Sequence, residues 1–160
     1  LSARIGSKLD ITKISQEMGV NRITINNYLN FLQGTYFIYL IQPFSRSADR
    51  EISGRPKIYF CDNGLVKVIT QLNMGQVLEN AVFNLLKFYG KVNYYQKRRS
   101  EQEIDFILNG LIGFEVKETA VKGHWNNLKR LAGKLRLKEN YLISRNFVEG
   151  VKDIIYPQFL

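Results

Sequence analysis

Two short apolar runs flank an Asn109-Gly110 turn, and each largely alternates apolar with polar residues. That pattern demands strands, and two strands joined this tightly must pair as an antiparallel hairpin. The first run is Glu103-Ile104-Asp105-Phe106-Ile107-Leu108 and the second Leu111-Ile112-Gly113-Phe114-Glu115-Val116-Lys117. Alternation puts Ile104, Phe106 and Leu108 on one face of the first strand, opposite Glu103, Asp105 and Ile107. On the second it puts Phe114 and Val116 opposite Glu115 and Lys117. The register decides what meets. A two-residue turn sets Asp105 opposite Phe114. An odd loop, Asn109-Gly110-Leu111, or a bulge sets Asp105 opposite Glu115 and keeps the apolar residues together. The odd loop is therefore expected. It would bring two carboxylates and a lysine to one side of the hairpin, a set able to hold a divalent metal, a phosphate and a water.

With 160 residues the chain is long enough for one domain or two small ones, and 45% hydrophobic residues suffice for a core. No apolar run approaches the roughly 20 residues that span a bilayer, and no secretory leader is evident. The single cysteine, Cys61, excludes an internal disulfide framework and a cysteine zinc site; it reads as a small apolar residue of a strand. A cytoplasmic, membrane-free protein is expected. The formal charge of +9 favours polyanionic partners, nucleic acid before anionic membrane. The chain begins at Leu1 rather than methionine, as a fragment or a processed product would.

Residues 9 to 34 read as two helices around a tight turn. Asp10 is placed to cap the first and Asn21 the second, with Gly19 between them and Gly34 at the end. Helix, glycine turn and capped helix form a helix-turn-helix. Its second helix would expose Arg22, Asn26 and Asn27, side chains able to reach phosphates or base edges; the same unit also serves elsewhere purely for packing. Strands at 36–41 and 57–61 enclose a loop carrying Arg46, Arg50 and Arg55, either a solvated hairpin tip or a wing contacting phosphate. A short helix follows Asp62-Asn63-Gly64, and Asn73-Met74-Gly75 reads as a junction. The expected division is a winged helix-turn-helix over 1–74 and a second domain over 75–160.

Beyond the junction the order is helix (76–89), strand (92–96), the hairpin, a basic amphipathic helix (124–137) and a strand at 141–143. That order predicts an α/β sandwich around a mixed sheet, so the fold class is α/β (α+β). Helices on both faces would bury the hairpin's charges at least in part, and buried charges need partners. Glu79, on the first helix, matters only if that helix packs beside the hairpin. Lys97, Arg98 and Arg99 are either a solvated turn or a clamp on a phosphodiester. His124 reads as a helix-start residue. No glycine-rich phosphate loop ending in Gly-Lys-Ser or Gly-Lys-Thr is present, so ATP cannot be bound in that manner by this chain.

Asp105, nine further residues, then Glu115-Val116-Lys117, with Glu79 on a preceding helix, resembles the PD-(D/E)xK nuclease superfamily. Together with Gly75-Gln76-Val77-Leu78-Glu79-Asn80 and Pro56-Lys57-Ile58-Tyr59-Phe60-Cys61-Asp62-Asn63-Gly64-Leu65, the chain is similar to the C-terminal region of predicted prokaryotic AAA+ superfamily ATPases. The resemblance implies a winged helix before a restriction-endonuclease-like domain. It implies an ATPase half outside this sequence, through which alone ATP would act, as the N-terminal partner domain. It further implies DNA as the partner and Mg²⁺, with Mn²⁺ as substitute, held by Asp105, Glu115 and the Val116 carbonyl. Lys117 and Glu79 would be the catalytic lysine and helical acid, in a metal-dependent nuclease or in a non-catalytic module regulating the ATPase. Gln96-Lys97 stands where such relatives often carry Trp-Arg, Glu101 where glycine is common, and no Gln-x-x-x-Tyr extension follows Lys117.

Overall fold

A computed structural model describes residues 4–46, 51, 54–97, 102–150 and 154–159. Helices α1 (Ile11–Met18) and α2 (Arg22–Gly34) open the chain. Asp10 caps α1 through the Lys13 N–H and Asn21 caps α2 through the Thr24 N–H, satisfying donors that a helix start leaves free. Gly19 ends α1 with φ +65°, a conformation that costs glycine little. Strands β1 (Ile38–Ile41) and β2 (Lys57–Phe60) then form an antiparallel pair. Helices α3 (Asn63–Ile69), capped by Asp62, and α4 (Met74–Leu86), capped by Asn73, lead into the second half.

That half is a mixed five-stranded sheet of order β3-β4-β5-β6-β7, made of Val92–Gln96, Glu103–Leu108, Ile112–Lys117, Glu139–Ser144 and Ile154–Ile155. The first three strands run antiparallel, while β5–β6 and β6–β7 are parallel. The β5–β6 crossover is α5 (Lys122–Leu135). Helix α4 packs on one face and α5 on the other, so the chain has the expected mixed α/β class with a sandwiched sheet. Among the described residues no helix is long and apolar enough to cross a membrane.

The hairpin adopts the odd-loop register. Phe106 faces Phe114 and Leu108 faces Ile112, with Asn109, Gly110 and Leu111 in the turn. Asn109 and Gly110 both take positive φ, which these two residue types tolerate best. Alternation along β4 fails at one point. Asn93 pairs with Ile107 but Tyr95 with Ile104, so a bulge sets Asp105 and Phe106 together against Tyr94. Ile104 therefore joins Ile107 against Leu128 and Leu131 of α5, while Phe106 and Leu108 join the α4 side. The expectation that Ile104, Phe106 and Leu108 share a face is corrected by that extra residue.

One apolar cluster runs from Ile5, Ile25 and Leu29 through Ile58 and Tyr59 to Val82, Phe83, Phe106 and Ile143, crossing residue 74 without a break. Tyr59 stacks on Phe83 at 4.7 Å and lies 5.3 Å from Phe106. Buried Asn80 on α4 accepts the Phe60 N–H and donates to the Phe60 carbonyl, tying β2 to α4. The Gln42 carbonyl accepts the N–H of Tyr94, joining the end of β1 to β3.

Candidate active site

Beyond the Phe106–Phe114 pair the ladder between β4 and β5 opens. There the Val116 N–H donates to Asp105 Oδ2 at 2.8 Å. Asp105 thus lies in the gap between the strands, where the bulge has turned it. Phe114 and Val116 pack toward α4, so Glu115 and Lys117, alternating with them, lie toward α5. Lys117 Nζ sits 2.7 Å from Glu115 Oε1 and 3.6 Å from Asp105 Oδ2. The two acids and the lysine proposed from sequence therefore meet around one ammonium. Asp105 and Glu115 are 3% and 6% exposed, and Lys117 is the member that reaches solvent.

Burial sets the protonation of these groups. It pushes Glu115 up to about 8, helped by the Asp105 charge and opposed by Lys117. Burial alone would pull Lys117 down, but Asp105 and Glu115 outweigh it and hold the ammonium above its ordinary value. Glu115 Oε2 is buried without a hydrogen-bond partner. A buried acceptor left unpaired beside a second carboxylate is what a hard cation would relieve.

Glu79 occupies the other side of Asp105. Its Oε1 accepts the Tyr59 hydroxyl at 2.6 Å and lies 3.8 Å from Lys57 Nζ. Lys57 also stands 3.5 Å from Glu103 Oε2. Gly6, at φ +70°, presses so closely that a Cβ there would lie 2.6 Å from Glu79 Oε2. Burial, then the Asp105 charge, pushes Glu79 up to about 7, while Lys57 and Tyr59 oppose them. Asp105 is thus the carboxylate that both glutamates feel most, with Glu103 adding less, and Glu79 is engaged by Tyr59 and Lys57 rather than by Glu115 or Lys117. Among the described residues no group of three or more His, Cys, Asp or Glu side chains closes around a common point. The residues present fit a cation held by two carboxylates, Asp105 and Glu115, with Glu79 set apart. At Val116 the group tied to the site is the N–H, not the carbonyl.

Sequence reasoning missed Lys57 and Tyr59. Both come from β2, in the half read as a DNA-binding module. A lysine opening the apolar run Ile58-Tyr59-Phe60 was the available signal; the structure buries the strand at every position.

The remaining candidates disperse. Arg22, Asn26 and Asn27 are exposed on α2, as expected. Their neighbours Ile23, Tyr28 and Phe31 are exposed too, and an apolar groove of about 550 Å³ between α1 and α2 is lined by Met18, Val20, Tyr28 and Phe31. Arg46 is turned away from that surface: its Nη2 donates to the Leu135 carbonyl at the end of α5, 2.8 Å away. Arg55 pairs with Asp10, the α1 cap, at 2.9 Å. Lys97 is exposed, and its N–H closes the β3–β4 connection on the Gln102 carbonyl. Arg50, Arg98 and Arg99, and Glu101, lie outside the described residues. His124 starts α5, its Nδ1 accepting the Val121 N–H; burial and then the Lys117 charge hold it below the ordinary histidine value.

Residues 1–76 match the model of a family described as a domain of unknown function, DUF8612. No curated protein matches the chain, and no solved structure does.

Proposed function

We propose that this chain is a divalent-metal-dependent nuclease that hydrolyses phosphodiester bonds in DNA. The reading starts from the one spot where Asp105, Glu115 and Lys117 meet, with Glu115 Oε2 buried and unpaired. Asp105 and Glu115 would hold Mg²⁺ or Mn²⁺, which when bound supplies Lewis-acid stabilisation of charge on the scissile phosphate. Lys117, the solvent-facing member, offers an ammonium to orient the attacking water and offset charge as phosphorus becomes pentavalent. Asp105 is kept in register by the Val116 N–H, so its position does not depend on substrate. Glu79 acts at a distance, through Asp105. The bulge in β4 and the opened β4–β5 ladder give these groups a place to converge in an otherwise closed sheet.

The test is a panel of linear, supercoiled, single-stranded and branched DNA, incubated with Mg²⁺ or Mn²⁺, alongside calorimetric metal titration of the wild type and Asp105→Ala. Cleavage and metal binding that both vanish in Asp105→Ala support the reading. No cleavage and no metal uptake by the wild type would refute it, and cleavage persisting in Asp105→Ala would place the active site elsewhere.

A second reading is a non-catalytic module that docks a partner protein, such as an ATPase half. The exposed Met18, Tyr28 and Phe31 around the α1–α2 groove favour it, because apolar side chains grouped this way mark protein contacts more than phosphate contacts.

A further inference from the structure

Helix α5 carries Lys122, Lys129, Arg130 and Lys134, with Arg136 and Lys138 directly after it, all exposed. None forms an ion pair with a described acid. Its apolar side, Leu128, Leu131 and Leu135, is spent against the sheet. At 100° per residue, Lys129 and Lys134 stand about 140° apart around the axis, so cations flank the exposed ridge on both sides. Between them lie Lys122, Gly133, Asn126 and Arg130, so the ridge is itself partly basic. Gly133 has open space where a Cβ would stand, and Asn126 is the polar residue toward the other end. The amino end of α5 is close to the candidate site in the chain, since only four residues separate Lys117, the end of β5, from Lys122, the start of α5. The far end receives Arg46 from the β1–β2 connection.

We infer that α5, rather than α2, is the main DNA-contacting surface, and that duplex DNA lies along it with its backbone directed toward Asp105, Glu115 and Lys117. The direction of that path rests on the nuclease reading; the binding itself does not. A ridge with cations on both flanks suits a groove walled by phosphates. The major groove of B-DNA admits a helix, whereas that of A-form RNA is too narrow. The outer stripe of Lys122, Asn126, Lys129, Arg130 and Gly133 holds no aromatic ring on which single-stranded bases could stack; Trp125 and Tyr141, which line a cavity with Lys129 and Lys138, are half-buried. An anionic membrane fits less well, because the helix keeps no apolar face to insert. Helix α2, by contrast, offers Arg22 as its one cation.

The test is fluorescence anisotropy with a short DNA duplex in EDTA, over a salt series, which separates binding from cleavage. Lys129→Ala/Arg130→Ala/Lys134→Ala should weaken binding by about tenfold or more and flatten the log–log salt slope by about two to three. Lys129→Gln/Arg130→Gln should do so in proportion, and serves if the triple variant melts early. Arg22→Ala/Asn26→Ala should lose distinctly less. Wild-type affinity in the α5 variants, or the reverse ranking, overturns the inference. So does tighter binding to duplex RNA, or to phosphatidylcholine vesicles about one-third phosphatidylserine, than to the DNA duplex. Duplex binding through α5 with neither cleavage nor metal uptake would leave this surface standing and remove the nuclease reading alone.

Discussion

Asp105 accepts the main-chain N–H of Val116, the residue that separates Glu115 from Lys117. One hydrogen bond therefore locks the acid of β4 to the strand carrying both of its partners. Asp105→Asn keeps an oxygen for that N–H and deletes the charge that both glutamates oppose. The folded state should survive, with a melting temperature within a few degrees of wild type. Metal affinity and cleavage should be lost, and Glu79 and Glu115 should titrate at lower pH. Retained metal uptake in the calorimeter would contradict the assignment of Asp105.

Lys117→Met removes the ammonium between the two carboxylates. Cleavage should drop by at least about a hundredfold. Metal affinity should hold or rise, because a competing cation has gone. A matched loss of metal affinity would make Lys117 a structural residue and not a catalytic one.

The raised values of Glu79 and Glu115 have a sign. A carboxyl held above its unfolded value near 4.5 favours the folded protein while protonated. That contribution is complete below about 4.5 and is lost as pH climbs through about 7 for Glu79 and about 8 for Glu115. Metal-free protein should therefore melt progressively lower between those limits. Glu115→Gln should flatten the upper part of the slope, and added Mg²⁺ should restore the midpoint most strongly at the alkaline end. A flat melting profile in both wild type and variant would show that Glu115 titrates normally.

Gly6→Ala meets two penalties, a left-handed backbone and a Cβ driven against the Glu79 carboxylate. About 1–3 kcal/mol of stability should be lost in denaturant titration. Asn80→Ala strands the N–H of Phe60, while Asn84 Nδ2 still donates to the Phe60 carbonyl, and should cost about 1–3 kcal/mol. If both variants unfold like the wild type, the packing of β2 on α4 is not what holds the two halves together.

Much of this architecture is local and so could be read from the sequence. Asp10 and Asn21 mark their helices by chemistry that acts over three residues, and the odd register follows from keeping Phe106 and Phe114 on one face. What escaped is non-local. The bulge depends on how β4 meets Tyr94, which no pattern within β4 reveals. Arg46 reads as a wing residue until the Leu135 carbonyl is found beside it. Lys57 and Tyr59 acquire a role only when β2 packs on α4 and finds Glu79 there, and the two-residue β7 is too short to leave a periodic signal.

The family match ends at residue 76, three residues before Glu79, whereas Lys57 and Tyr59 lie inside it. The charge balance around Asp105 is therefore written on both sides of that border. A first half grafted onto an unrelated second half would arrive with a buried ammonium and a phenol lacking their acid, and the second half would arrive with an acid lacking its cation. Exchange at that border should be tolerated only between chains that match at positions 57, 59 and 79 together.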